Sequence, residues 1–308
     1  GEIKSAIEAR TSERVFSARR FGVRFLGRWA DRIQPADDLF AAENYGDILE
    51  LTELTRADDG YVANQSLFSS YLSLELPLQD WVKANVGARF ERFHQEIRAE
   101  SPFATDTDVA NEGDRLDEDV LPAASLVFTT GEKSSIRLAY GGTVARPLVR
   151  EFAPFLSQDF IRRRGVQGNP ELERTAVHNL DARWEFFPSG TEVFAISGFY
   201  KIFDNPIESV VVDTNGNITY QNVEGAENFG IEFEARSTLD RLIDGLADFE
   251  ILGNFTLVHS RVTLSDAQRS VATSKTRPLA GQSPYVANVS LGYVPDDTPL
   301  SLFIYYNV

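Results

Sequence analysis

The 308-residue sequence predicts an all-β chain, laid out as one antiparallel up-and-down sheet. Three observations carry that expectation. Residues 226–239 alternate, with Asn228, Gly230, Glu232, Glu234, Arg236 and Thr238 on one side. Phe229, Ile231, Phe233, Ala235 and Leu239 take the other side, and Ser237 alone breaks the pattern. A period of two marks a strand, because successive side chains point to opposite faces. Second, most alternating runs match or exceed the ~9–11 residues that a membrane-spanning strand needs, where ordinary strands have about 5–6. Third, short turns and long loops take turns along the whole chain, and no helix of ordinary length is required.

The elements follow in order. Residues 2–24 read as one long strand or a hairpin pair, with T-S-E-R at 11–14 as the candidate turn. Residues 25–60 read as a long loop with one helical turn near Asp38. Two long strands, 61–76 and 81–98, flank the short turn L-P-L-Q-D. In the second, Val82, Ala84, Val86, Ala88 and Phe90 oppose Lys83, Asn85, Gly87, Arg89 and Glu91. Residues 99–118 are acidic and hold Gly and Pro, which predicts a loop. Strands 121–130 and 134–144 flank T-G-E-K, and 146–174 is again a long loop. Strands 175–187 and 191–203 flank P-S-G. The excursion 204–223 holds a small hairpin over N-G-N, read as a tight Asn-Gly turn. Strands 226–239 and 248–263, a polar loop 264–283, and strands 284–294 and 300–308 around P-D-D-T complete the chain. The total is about eleven or twelve strands.

Unlike ends, short turns at one and long loops at the other, are the layout of a transmembrane β-barrel. In 175–187, Ala176, Leu180, Ala182, Trp184 and Phe186 would face lipid, with His178 the exception. Thr175, Asn179, Asp181, Arg183 and Glu185 would face water. Trp184, Phe186 and Phe187 sit beside a short turn, as Trp81 does, where an aromatic girdle belongs. Soluble sandwiches and propellers also alternate. Strand length favours the barrel, and the lack of a 20–50-residue repeat disfavours a propeller.

Composition excludes several functions. Cysteine is absent, which removes disulfides, thiolate metal sites and cysteine nucleophiles, and suits an oxidising envelope compartment. A net charge of −16 argues against a nucleic-acid partner, whose binding rests on phosphate neutralisation. His94, His178 and His259 lie far apart, with no metal-ligand spacing. The absence of methionine and the mid-strand ends predict an internal piece of a longer protein, so a missing leader says nothing about export. No run approaches the ~18 apolar residues of a membrane helix.

Five segments then occur in matching order. They are T-V-A-R-P-L-V-R-E-F-A-P-F (143–155), Q-G-N-P-E-L-E-R-T (167–175), F-Y-K-I-F-D-N-P-I-E (199–208), N-V-E-G-A-E-N-F-G-I-E-F-E-A (222–235) and G-Q-S-P-Y-V-A-N-V-S-L-G-Y (281–293). Each is weak alone; together they resemble the barrel domain of TonB-dependent outer-membrane receptors, most strongly over 134–308. The resemblance implies a barrel of about 22 strands closed by an N-terminal plug. It implies uptake of a scarce nutrient, powered by a TonB-ExbB-ExbD complex acting through that plug. Residues 1–308 would form part of one barrel domain, roughly half its strands, with plug and C-terminal strands outside this chain. Lipid and lipopolysaccharide would surround it, and no cofactor is implied. Export, or surface binding without uptake, is the alternative for the same barrel, and a soluble all-β binding module stands behind both.

The candidate ligand contacts are Arg146, Arg150, Arg162, Arg163 and Arg164, five guanidiniums within one long loop of an acidic chain. Guanidinium forks match carboxylates and phosphates. The competing role is pairing with Asp106, Asp108, Glu112 and Asp114 or with lipopolysaccharide phosphates. The acidic run 112–119 with Asp106 and Asp108 offers oxygen ligands of the kind Ca²⁺ takes, although no D-x-D-x-D-G loop is present. No G-x-S-x-G, H-E-x-x-H or paired-carboxylate arrangement points to an enzyme. Gly230 inside a strand predicts a bend or a close backbone approach, and Asn169-Pro170 predicts an architectural turn.

Overall fold

The computed structural model describes residues 1–28, 32–56, 59–100, 112–159, 161–162, 164–241, 243–264, 276–295 and 298–308. The chain runs β1 (Glu2–Ser17), then β2 (Phe21–Phe25), the one-turn helix α1 (Ala36–Leu39) and β3 (Leu49–Glu53). Next come β4 (Gly60–Gln79), β5 (Val82–Ala99), β6 (Glu112–Gly131) and β7 (Ser134–Ala145). A loop carrying α2 (Val149–Phe152), β8 (Leu156–Asp159) and β9 (Arg164–Gln167) leads to β10 (Thr175–Phe186) and β11 (Val193–Asp204). The hairpin β12 (Ile207–Val211) and β13 (Ile218–Asn222) precedes β14 (Gly225–Thr238) and β15 (Phe249–Thr263). The short β16 (Thr276–Arg277), β17 (Tyr285–Tyr293) and β18 (Leu302–Asn307) end it.

Eleven of these strands form the wall. β1, β4, β5, β6, β7, β10, β11, β14, β15, β17 and β18 stand side by side in chain order, and β16 pairs with β15. Every wall pair is antiparallel. β1 and β18 are the two edges, so the sheet is a partial, unclosed barrel. Among the described residues no helix is long and apolar enough to cross a membrane.

The wall's register fixes its two faces. Tyr61, Ala63 and Ile97 lie on the face onto which the 146–174 loop folds, with Val149, Phe152, Ala153, Phe155 and Leu172 packed against them. Pair by pair, that inner face carries to Glu91 opposite Asp119, Asn179 opposite Gly141, Phe199 opposite Gly230, and Asn254 opposite Asn288. The inner residues bond to each other: Arg183 reaches Glu185 at 2.8 Å and Glu234 at 2.6 Å, and Asn288 donates to Asn254 at 2.7 Å. The opposite face is apolar and open, and includes Phe229, Ile231 and Phe233 with Leu180, Trp184, Ile196, Leu257 and Leu291. The alternation of 226–239 therefore sorts as expected, polar inward and apolar outward.

Aromatic pairs border the outer apolar band. Trp81–Phe128, Trp184–Phe186 and Phe249–Tyr293 lie toward the short turns, with centroids 6.1, 6.3 and 4.9 Å apart. Tyr140–His178 and Phe229–His259 lie toward the long loops, at 6.1 and 4.9 Å. Phe186 to His178 spans about 26 Å of strand at ~3.3 Å per residue. A tilt near 40° reduces this to roughly 20 Å of height, close to the ~25 Å apolar band of outer-membrane barrels.

Gly230 is a close approach. A Cβ there would stand 2.4 Å from the Leu257 carbonyl oxygen and 2.5 Å from the Phe199 ring, which crosses over it on the inner face.

Several boundaries differ from the sequence reading. Residues 11–14 do not turn, because β1 pairs with β4 without a break from Glu2 to Ser17. The second part of the supposed hairpin is β2, which pairs with β3 inside the 18–59 loop. β6 begins at Glu112, so its acidic start is strand paired with β5. Asp114 and Glu118 point outward, to His94 and Arg92, while Asp117 and Asp119 point inward to arginines. Carboxylates split between two faces cannot converge on a calcium ion, and no metal-binding group occurs among the described residues. Asp106 and Asp108 lie outside the described residues. The N-G-N hairpin exists, but Asp213 to Gly216 make its turn and only Gly216 has positive φ. It is wider than the tight Asn-Gly form, which needs φ > 0 at both central positions.

Candidate functional site

The long-loop end of the wall is where the chain gathers its charge, and the reason starts at Pro122. Proline cannot donate to a ladder and is found at sheet edges. Pro122 stands where β6 parts from β7, since their pairing begins only at Ala123–Gly141. Beyond that point ion pairs bridge the split. Arg146, just past β7, donates to Glu91 of β5 and Asp119 of β6, both at 2.8 Å, and its guanidinium lies 4.8 Å from the Phe93 ring centroid. Arg174, just before β10, reaches Asp119 at 2.7 Å. Arg89 holds Glu91 at 2.6 Å and Glu8 at 3.0 Å; Arg115 holds Asp117 at 2.6 Å. Arg89, Arg115, Arg146 and Arg174 balance Glu8, Glu91, Asp117 and Asp119, so the network is neutral. Glu91 and Asp119 are both buried.

The loops fold inward over this network. Gly168 packs against the loop's own start, and a Cβ there would lie 1.9 Å from the Ala153 carbonyl oxygen. Asn169 then stitches two loops: its N–H donates to Glu151 O at 2.6 Å and its side-chain amide to Tyr220 O at 3.0 Å. Its side-chain oxygen accepts the Glu171 N–H at 2.9 Å. The G-N-P segment is thus architectural. β8, β9, β13 and β12 form a four-stranded sheet in which β13 and β9 run parallel, joining the 146–174 and 205–224 loops. Arg277 pairs with Glu208, and Arg20 with Asp59 and the Leu156 carbonyl, which ties in the 264–284 and 18–59 loops.

The five candidate arginines occupy different places. Arg146 is committed to the wall network. Arg162 and Arg164 flank Asp159, at 3.2 and 3.8 Å. The Arg162 N–H, with its guanidinium and the Ile161 N–H, holds the Asp159 carboxyl below its usual range despite desolvation. Arg150, exposed on α2, lines a cavity with residues of β1 and β4. Arg163 lies outside the described residues. Among the described residues, the loop's arginines therefore do not form one cluster.

That cavity, of about 520 Å³, brings in residues the sequence reading passed over: Arg14, Phe16, Arg19, Arg20, Tyr61 and Phe155. Phe16 stacks on Tyr61 at 5.3 Å, and Phe155 meets Phe16 edge-on at 5.0 Å. Arg14 and Phe16 share the inner face of β1 by register with Ala63 and Tyr61. The alternation R-V-F at 14–16 was the available signal.

Comparison with known proteins bears on this architecture. A family model described as TonB dependent receptor-like, beta-barrel matches residues 10–307. A search of curated proteins finds no match. Among solved structures, the ferric-catecholate import receptor Fiu of E. coli superposes with TM-score 0.57 at 14% identity, covering 84% of this chain and 35% of that one. The hemophore receptor HasR of Serratia marcescens, solved with its hemophore HasA and heme, gives 0.57 at 12% identity, covering 99% and 51%. The alcaligin outer-membrane receptor FauA of Bordetella pertussis gives 0.52 at 13%, covering 81% and 38%. The chain thus spans between about a third and a half of the length of these structures.

Proposed function

The chain belongs to the TonB-dependent receptor β-barrel family of Gram-negative outer membranes, and from that premise we propose that it is the wall and mouth of a nutrient transporter. Long external loops capture a scarce nutrient, which then passes through a plugged lumen into the periplasm. A TonB-ExbB-ExbD complex supplies the energy through a plug domain carried elsewhere in the longer protein. Residues 1–308 contribute roughly half of one barrel domain, and the remaining strands close it. A closed barrel satisfies every backbone hydrogen bond in lipid, and a lumen of that width needs a plug. The role is capture and passage rather than catalysis.

The observation that carries this reading is the inward fold of the 146–174 and 205–224 loops onto the inner wall at Tyr61, Ala63 and Ile97. A structural or adhesive barrel has no need to build its mouth from four interlocked loops. The receptors for alcaligin, ferric catecholate and hemophore named above are consistent with it. The test is growth and radiolabelled uptake in a deletion strain over siderophores, heme, cobalamin, glycans and peptides, each repeated without TonB. Uptake of one nutrient should fail in both strains, and the full-length gene should restore it only where TonB is present. Unchanged uptake of every nutrient, with a defect in surface secretion, would replace transport by export.

A further inference from the structure

We propose that the outer end of β6 is an open sheet edge that takes up an extended, basic segment of a partner protein as an added strand. Such an edge acts apart from nutrient capture and depends only on the wall.

The edge follows from the register. The Thr129 N–H donates to the Trp81 carbonyl at 2.8 Å, and β5 and β6 pair without a break from Val82–Phe128 to Arg98–Glu112. Backbone groups alternate in direction along a strand, so odd-numbered residues of β6 turn N–H and C=O toward β5 and even-numbered ones toward β7. β7 meets them only as far as Ala123–Gly141. Above Pro122 the N–H and C=O of Asp114, Leu116 and Glu118 therefore face a gap, and among the described residues no backbone–backbone hydrogen bond crosses it. Ala124 lies level with Tyr140 of the upper aromatic border, so this stretch stands clear of the lipid. It is an interior step in the wall, with β5 on one side and the β7–β10 pair on the other.

The neighbouring loop does not close the step with a ladder. Leu172–Arg174 runs along its far side, and side chains make the crossing: Arg115 donates to the Leu172 carbonyl, and Arg174 reaches back to Asp119. The Glu173 N–H and carbonyl are both taken by the Asn222 side chain. An open cleft of about 560 Å³ remains, with Phe152 packed under Gly113 on its inner side. An unpaired edge is a template for another chain, where main-chain hydrogen bonds give affinity and alternate side chains give specificity.

The side chains select the occupant. Asp114, Leu116 and Glu118 are exposed on the outer face, reading carboxylate, apolar, carboxylate. Their partners on β5, His94 and Arg92, are exposed as well. Arg115 and Arg174 are committed to Asp117 and Asp119, while Glu173 adds an exposed carboxylate to the cleft. Residues directly opposite in an antiparallel pair have Cβ atoms about 4.5–5.5 Å apart, where opposite charges attract and like charges repel. A second copy of this acidic edge is thereby disfavoured, and a strand reading basic, apolar, basic at every second position fits.

The probe is a fluorescein-labelled heptapeptide, Thr-Lys-Thr-Val-Thr-Lys-Thr, titrated by fluorescence anisotropy into the full-length receptor in detergent. Its symmetric pattern centres the valine on Leu116. We expect saturable binding, weakened about tenfold or more when both lysines become glutamates. N-methylating the valine alone removes the N–H aimed at β6 and should weaken binding as much, whereas N-methylating a threonine, whose N–H points away, should leave affinity within about threefold. The Asp114→Lys/Glu118→Lys variant should reverse the preference toward the glutamate peptide. Both side chains are exposed, so its heat-modified gel migration should match the parent. In hydrogen exchange the Leu116 amide should exchange freely in the receptor alone and become protected with the peptide. No saturable binding, indifference to N-methylation of the valine, or an unchanged preference in a folded variant would overturn the proposal. Protection of the Leu116 amide before peptide is added would overturn it too, because the receptor's own chain would then cover the edge. None of these readouts involves TonB or uptake, so the transporter reading stands or falls separately.

Discussion

Replacing Arg146 by methionine tests whether ion pairs hold the wall together where β6 and β7 part. The substitution keeps most of the volume and removes the charge. Arg146 bonds Glu91 and Asp119, both at 2.8 Å, and lies over Phe93. Orphaning a buried charge costs about 3–5 kcal/mol. Here neither carboxylate is orphaned, because Glu91 keeps Arg89 at 2.6 Å and Asp119 keeps Arg174 at 2.7 Å. The expected loss is therefore nearer that of one net charge-assisted hydrogen bond plus a largely buried cation–π contact, each at the low end of its range, about 2 kcal/mol. Asp119→Asn should cost more, about 3 kcal/mol, since it weakens the hold on Arg146 and on Arg174 together. The loss should be local, with faster tryptic cleavage of the 146–174 loop. The assays are urea unfolding and limited proteolysis of the full-length receptor in detergent. A cost for Arg146→Met below about 0.5 or above about 4 kcal/mol would refute the reasoning, as would Asp119→Asn costing less.

Three further outcomes follow from the geometry. Gly168→Ala drives a methyl into the Ala153 carbonyl at 1.9 Å and should cost about 3 kcal/mol, seen as protease nicking of the loop with the wall transition unmoved. Gly230→Ala meets the Leu257 carbonyl at 2.4 Å and should lower the thermal midpoint of the wall itself by about 1–3 kcal/mol equivalent. On the opposite rim, Arg241 and the Ser237 hydroxyl hold the Glu192 carboxyl down at about 2 against an ordinary 4.5. Its stabilisation is full above about 4.5 and vanishes as pH falls through about 2, so the deficit of Glu192→Gln in a detergent melt should be present at neutral pH and gone at pH ~2.

The wall was legible because its chemistry is periodic. Between lipid and water every second residue must be apolar, and β10 and β14 show that plainly. The signal fades where a strand leaves the membrane. At 113–118 of β6 the outer face is wet and the inner face is buried as ion pairs under the loops, so the apolar alternation disappears and acidic residues with Gly113 resemble a loop. β8 and β9 have four residues each, too few for a period, and their sheet depends on a parallel contact with β13 some fifty residues away. The mouth was hardest to read. Arg146 looked like a ligand contact beside Arg150, yet the register brings it to Glu91 and Asp119 on earlier strands. Arg14 became visible only when α2 folded back against β1. Local sequence encodes the strand; the site is made by which strands and loops meet.

Ile231 and Glu232 offer the most direct test that this sheet is a wall with lipid on one side and water on the other. In a cysteine-free full-length receptor in native outer membranes, Ile231→Cys should resist a charged water-soluble maleimide, and a fluorophore attached there should be quenched by brominated lipid. Glu232→Cys should label from the aqueous lumen once the proposed plug is displaced by denaturant below the barrel transition, and its fluorophore should escape lipid quenching. The reverse pattern would place Phe229, Ile231 and Phe233 inside and contradict the register; equal aqueous labelling at both positions would contradict the membrane wall itself.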